Sequence, residues 1–159
     1  ERKDRNYLQA VIIKMGSSNF LTGLMKAGAS AADVAEAKQQ NFIIACSDEG
    51  TALTTGTAKV SFRMPYAFTL NAGAGGITAS CNQAPTGAIL TIDVNEAGST
   101  ILSTKLTIAI SSTTSVGGTA PVISDVALAA NALITIDIDQ IGSTNAGTGL
   151  KVTLIGVRA

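Results

Sequence analysis

Hydrophobic and polar positions alternate with a period of two along much of the chain from residue 51 onward. In AKVSFRM, Val60, Phe62 and Met64 fall on one side and Lys59, Ser61 and Arg63 on the other, the pattern of a strand with one buried face. Pro65 then limits continuation of that ladder. Comparable runs predict strands over about 67–70, 77–82, 88–95, 101–110, 122–123, 133–139 and 150–157. Gly or Pro stands between most of them, in NAGAGG, APTG, EAGS, SVGGTAP and NAGTG. Seven or eight short strands at this spacing predict an all-β fold, a β-sandwich of jelly-roll-like topology.

The first fifty residues read differently. YLQAVIIKM alternates, GSSN marks a turn, and FLTGLMKAG leads into SAADVAEAKQQN. There Ser30 precedes Asp33 by three positions, as in a capping box, and good helix formers follow. One short helix over about 31–40 is predicted, with Val34 as its only large apolar side chain, so it buries little by itself. The expected organisation is an N-terminal arm or attachment segment over 1–50, containing the helix, and a β-sandwich domain over 51–159. An arm of this kind suits packing on a neighbouring subunit.

One decapeptide occurs twice. TIDVNEAGST, beginning at Thr91, returns forty-four residues later as TIDIDQIGST, beginning at Thr135, with six of ten positions identical. Each copy brings carboxylates or amides close to a glycine: Asp93, Asn95 and Glu96 in the first, Asp137, Asp139 and Gln140 in the second. A calcium site needs six to eight converging oxygens, and a pair such as Asp137 and Asp139, about 7 Å apart along one strand face, supplies two or three. The structural alternative is a polar row on the solvent face of a half-buried strand, and it explains the same residues without a ligand. Gly98 and Gly142 follow at the same offset, where a turn or bulge with positive φ is expected. The pattern therefore predicts two equivalent hairpins of one sandwich.

Composition narrows the chemistry. Eleven basic and eleven acidic residues cancel and only 14% of residues are charged, so the chain carries no electrostatic footprint for nucleic acid or an anionic membrane. Low charge with many Thr, Ser, Val and Ile gives a surface apolar for a soluble monomer, which burial in an assembly would explain. There is no His, which removes the commonest general base and transition-metal ligand. Cys46 and Cys81 lack a CxxC spacing, and buried free thiols are expected over a disulfide. The apolar stretch over 7–25 is interrupted by Lys14 and Gly16, so neither a signal peptide nor a membrane span is expected. The first residue is Glu, which leaves room for a missing initiator or leader.

Other motifs add little. GAGG at 73–76 lacks the GxGxxG spacing and precedes no helix, so a loop tip is expected. No GxSxG occurs. Aromatics are few, and Tyr66 beside Pro65 is the best exposed candidate for stacking a sugar, against the plainer reading of an edge aromatic. No catalytic, cofactor-binding or metal-binding residue is assigned, and no cofactor is expected.

The strings SDEGTALTTGTAKVSFRMPYAFTL, APTGAILTIDVNEAGSTILSTKLTI and APVISDVALAANALITIDIDQIGSTNAGTGLKVTLIGVRA resemble a C-terminal β module of tailed-bacteriophage structural proteins. The resemblance covers residues 47–159, and FRMPYAF and ITIDIDQIGS are its most specific strings. The segments NAGAGGITASCNQAPTG and ALAANAL depart from that module's pattern. The resemblance implies a non-enzymatic virion component of the head-decoration or fibre type. With no collagen-like repeat or long heptad pattern to build a shaft, a capsid decoration or cement protein is favoured. Its expected partners are itself, as a homo-oligomer and specifically a homotrimer, and the major capsid protein or other virion proteins, reached through the arm. No nucleic acid or membrane partner is expected, and the location is the virion, assembled in the host cytoplasm. The alternative is a tail-fibre or head-fibre tip that binds a host surface glycan through loops 71–76, 117–121 and 145–149. A depolymerase ranks third, for want of paired carboxylates outside the repeat.

Overall fold

The computed structural model describes residues 38–159 together with Gly28. The arm lies mostly outside the described residues, as do positions 31–37 of the helix expected over about 31–40. Lys38 is helical, whereas Gln39 and Gln40, expected to end that helix, open the first strand. The compact β unit spans Gln40–Ala159, so it begins ahead of the composition change at residue 51.

Twelve strands follow in order: β1 (Gln39–Ala45), β2 (Gly56–Arg63), β3 (Phe68–Leu70), β4 (Ile77–Ser80), β5 (Leu90–Glu96), β6 (Ser99–Thr100), β7 (Leu102–Thr104), β8 (Leu106–Ile108), β9 (Val122–Ile123), β10 (Ala127–Leu128), β11 (Leu133–Gln140) and β12 (Lys151–Arg158). Two five-stranded sheets pack face to face. One runs β1-β12-β3-β10, with β4 also on β12, and the other runs β2-β11-β5-β6, with β8 also on β5. A two-stranded ribbon of β7 and β9 completes the set. Here β3 and β4 lie end to end along β12, as β6 and β8 do along β5. Counting each such pair as one interrupted strand and setting the β7–β9 ribbon aside, chain order across the sheets is 1-8-3-6 and 2-7-4-5, the order of a jelly roll. The all-β sandwich read from the alternation is thus borne out.

The core lies between the sheets. Ile92, Val94, Ile134, Ile136, Phe68, Ile77, Val152 and Leu154 are fully buried there, and Phe42 meets Phe68 edge-on at 5.1 Å. Val60 and Phe62 point inward beside Met64, as their alternation predicts, while Lys59, Ser61 and Arg63 face out. The run predicted over 101–110 is broken. Ile101 and Leu102 are buried, after which the chain leaves β9 for β5 at Lys105, so one stretch serves two partners.

The repeat is resolved in an unexpected way. Its two strands, β5 and β11, are antiparallel neighbours in one sheet, with Asp93 directly opposite Asp137. Because those two aspartates are equivalent in the repeat, the pairing is a local two-fold: Ile92 faces Ile138 and Val94 faces Ile136. Only the first copy is a hairpin. Glu96 pairs with Ser99 across a two-residue turn, and Ala97 and Gly98 both have positive φ, 49° and 87°. That is a type I′ geometry. The second copy leaves its sheet instead, and Gly142 is not in the positive-φ region. A Cβ there would sit 1.9 Å from the Asn145 carbonyl oxygen, so Gly142 permits close backbone packing rather than a turn.

Ala97 adopts a left-handed conformation that suits Asn far better. Ala97→Asn should raise stability by about 0.5–1 kcal/mol. The urea midpoint at unchanged slope is the measurement, and an unmoved or lowered midpoint would refute the turn assignment.

Candidate functional surface

The carboxylates of the repeat come together on the outer face of the second sheet. Extending the β5–β8 register by one residue places Lys105 across from Asp93, so Lys105, Asp93 and Asp137 form a row over three strands. The Lys105 ammonium lies 3.1 Å from Asp93 Oδ2 and 2.6 Å from Asp139 Oδ2. It donates hydrogen bonds to both sides of the cluster, and the Asp139 contact, followed by Asp93, holds its pKa above the ordinary lysine value. Asp93 is 5% exposed, and its Oδ1 accepts from Thr100 Oγ1 at 2.6 Å and from the Val94 N–H at 2.8 Å. Asp137 Oδ1 accepts the Ala58 N–H at 2.7 Å, which caps the bulge where β2 slips against β11. Asp139 is the extra residue of a second bulge, between Ile138 and Gln140, and this bulge breaks the local two-fold.

Glu96 accepts the Ala129 N–H at 2.8 Å, tying the hairpin to the next loop. Asn95 is buried, and Gln140 is exposed. Each carboxylate of the repeat therefore has a partner within the fold, which favours the structural reading of this polar row over a calcium site. Among the described residues no group of three or more His, Cys, Asp or Glu side chains is arranged to hold a metal.

The cysteines flank one residue from opposite sides. The Cys46 N–H donates to the Leu150 carbonyl at 2.7 Å, and the β4–β12 register, extended by one, sets Cys81 across from Leu150. With β12 between them, the two cysteines are two strand spacings apart, about 9–10 Å. A disulfide needs Cα atoms within about 7 Å. Both are buried free thiols; burial pushes the Cys46 pKa up to about 11 and raises that of Cys81. Neither thiol is poised as a nucleophile.

Tyr66 is a half-buried edge aromatic. Its hydroxyl donates to Gln40 Oε1, its ring lies 5.9 Å from that of Phe42, and the Arg158 guanidinium stacks 4.7 Å above it. Two clefts remain. One, of about 220 Å³, lies beside Asp48, whose Oδ1 accepts the Gly50 and Thr51 N–H groups; the Thr51 hydrogen bonds hold its carboxyl below the usual range. The other, of about 320 Å³, lies between loops 71–76 and 115–121. Two of the three loops singled out in the sequence thus meet. The third, 145–149, pairs instead with Thr86, Gln83 and Leu53. The larger cleft is lined by Ala74, Ile77, Val116, Ala120 and Pro121, with the hydroxyls of Thr78 and Ser115 as its polar side chains.

The topology also gathers three stretches of sequence without a single charged residue: 64–92, 106–124 and 140–150. The Cys81 N–H donates to Thr113 O, the Ser111 N–H to Pro85 O, the Thr86 N–H to Asn145 O and the Asn82 N–H to Thr148 O, all between 2.8 and 2.9 Å. Individually these stretches are unremarkable loops and strands; joined, they make a patch around the larger cleft whose lining carries no charged side chain, bordered by the Glu49–Lys151 ion pair. No helix among the described residues is long and apolar enough to cross a membrane. No known protein family, curated protein or solved structure matches the chain.

Two measurements test this picture. Lys105→Met leaves Asp93 buried without a counter-charge and should cost about 1–3 kcal/mol at pH 7, a range reduced because Lys105 and Asp139 are partly exposed. Adding Asp93→Asn should recover most of that loss. In the native chain the folded lysine pKa is raised, so the contribution is complete below the unfolded lysine value of about 10.4 and fades as pH rises through the folded one. A urea midpoint insensitive to Lys105→Met would refute the cluster's structural role. For the cysteines, the unfolded protein should titrate two thiols and the folded protein should react slowly; a mobility shift on mild oxidation that persists at high dilution would contradict their separation.

Proposed function

We propose that this chain is a non-enzymatic virion structural protein, a capsid decoration or cement protein that works as a homo-oligomer and attaches to a phage head through residues 1–38. The observation that carries the reading is the segregation of charge. The outer face of β2, β11 and β5 holds Lys59, Arg63, Asp137, Asp139 and Lys105, while the patch that the 64–92 and 106–124 stretches form around the larger cleft has none in its lining. A surface of that kind exposes apolar groups that a free monomer gains nothing by displaying, and it suits a particle in which many copies are held edge to edge. Avidity over a lattice then makes weak individual contacts hold.

The resemblance to a phage structural module supports the virion setting. Jelly-roll order supports it only by analogy, since the same architecture serves capsid and lectin domains. The glycan-binding reading keeps one favourable observation, the meeting of loops 71–76 and 115–121 at a cleft. That cleft has no aromatic ring, carboxylate or amide side chain in its lining, which leaves a sugar little to stack on or bond to.

Imaging the purified virion decides between them. Copies should occupy regular positions over the head lattice, and removal of residues 1–38, which spares β1, should abolish particle binding while the β unit stays folded. Copies confined to the tail or to one vertex would overturn the decoration role in favour of a fibre tip, and undiminished binding after truncation would overturn attachment through the arm.

A further inference from the structure

We infer that the uncharged patch around the larger cleft, centred on Val116, is the face by which one copy of this chain binds another. Val116 is 91% exposed, the extreme among the large apolar side chains described, and Val122 and Ile110 are half exposed on neighbouring segments. A valine so presented is a projection. Beside it lies a recess, the cleft of about 320 Å³ floored by Ile77 and walled by Ala74, Ala120 and Pro121. Projection and recess on one face make that face complementary to itself, with Val116 of one copy seated in the cleft of the next.

Charge selects the occupant. A partner presenting Lys, Arg, Asp or Glu here would bury an ion against a surface that offers no counter-charge, at a cost that would dominate the contact. The partner's surface must therefore be neutral as well, and the same face of a second copy meets that requirement without further assumption. Its rim is polar: the Glu49–Lys151 ion pair borders the 140–150 stretch, as expected where a contact gives way to solvent. The charged outer face of β2, β11 and β5 offers no such neutrality. A contact without ions should also ignore ionic strength, because there is nothing for salt to screen.

The inference rests on the assembly reading only for the existence of a partner, and its test needs no particle. Light scattering on the purified full chain should give an oligomer whose mass is unchanged between about 0.1 and 1 M salt. Val116→Asp, at a site exposed enough to leave folding intact, should raise the dissociation constant at least about tenfold. Ala120→Arg should do the same, whereas Arg63→Glu on the charged face should not. A wild-type chain that is monomeric throughout, an oligomer that survives both interface substitutions, or one dispersed by salt would each overturn the inference. If the wild type is monomeric and Val116→Asp instead blocks particle attachment, the face belongs to another virion protein. If the chain oligomerises as described but is absent from the head, this inference stands and the decoration role falls.

Discussion

The pairing of β5 with β11 is the constraint on which the rest of the sandwich depends. On its inner side six aliphatic residues, Leu90, Ile92, Val94, Ile134, Ile136 and Ile138, are at most 1% exposed. Burying side chains of this size contributes about 1.5–3 kcal/mol each, so this one strand pair supplies a large share of the core. A sheet that commits every inner position to aliphatic packing must carry its polar residues on the other side. In the observed register, antiparallel pairing of the two copies sets equivalent aspartates face to face. Like charges directly opposite are destabilising. The fold answers with Lys105 on one flank and the Ala58 N–H on the other.

That resolution shapes the neighbouring strands. Asp137 holds open the bulge at Ala58, where φ is positive, and so fixes how β2 begins as an edge strand. A bulge together with Lys59 and Arg63 is also what keeps such an edge from pairing with a stranger. Asp139, displaced by the second bulge, turns toward the Lys105 ammonium rather than continuing the two-fold. Lys105 in turn stands where the chain passes from the β7–β9 ribbon to β8. One ion-paired cluster thereby links strand register, edge protection and the crossing of the chain between sheets.

Much of this was legible along the sequence, and the failures have physical causes. β2, β5, β11 and β12 announce themselves because each has one face in the core, so period-two alternation survives intact. β1 escaped because Gln39, Gln40 and Asn41 are polar and only Phe42 and Ile44 turn inward, too short a pattern to outweigh the helix formers before it. The repeat correctly signalled two like strands. It wrongly implied two like hairpins, because self-similarity reports local conformation and not which partner a strand takes. Gly98 and Gly142 show the limit sharply: the same residue at the same offset serves a left-handed turn in one copy and close backbone packing in the other. The three uncharged stretches were equally visible in the sequence, but their union depends on a strand order that no local pattern encodes.

Charge segregation follows from this architecture. The ion pairs among the described residues lie on the strand pair that needs them, where Lys105 meets Asp93 and Asp139, and at the border of the uncharged patch, where Lys151 meets Glu49. What remains is joined by backbone hydrogen bonds between loops, which satisfy peptide groups without asking for charged side chains. A side built that way is stable within the fold yet poorly suited to water, since its Val and Ile side chains stay exposed. It is equally poorly suited to chemistry: a site needs a group that can hold a proton, an ion or a nucleophilic electron pair, and hydroxyls alone do little of this near neutral pH. Such a surface can still recognise shape. In the contact role proposed for this surface, fit and the exclusion of charge set the specificity.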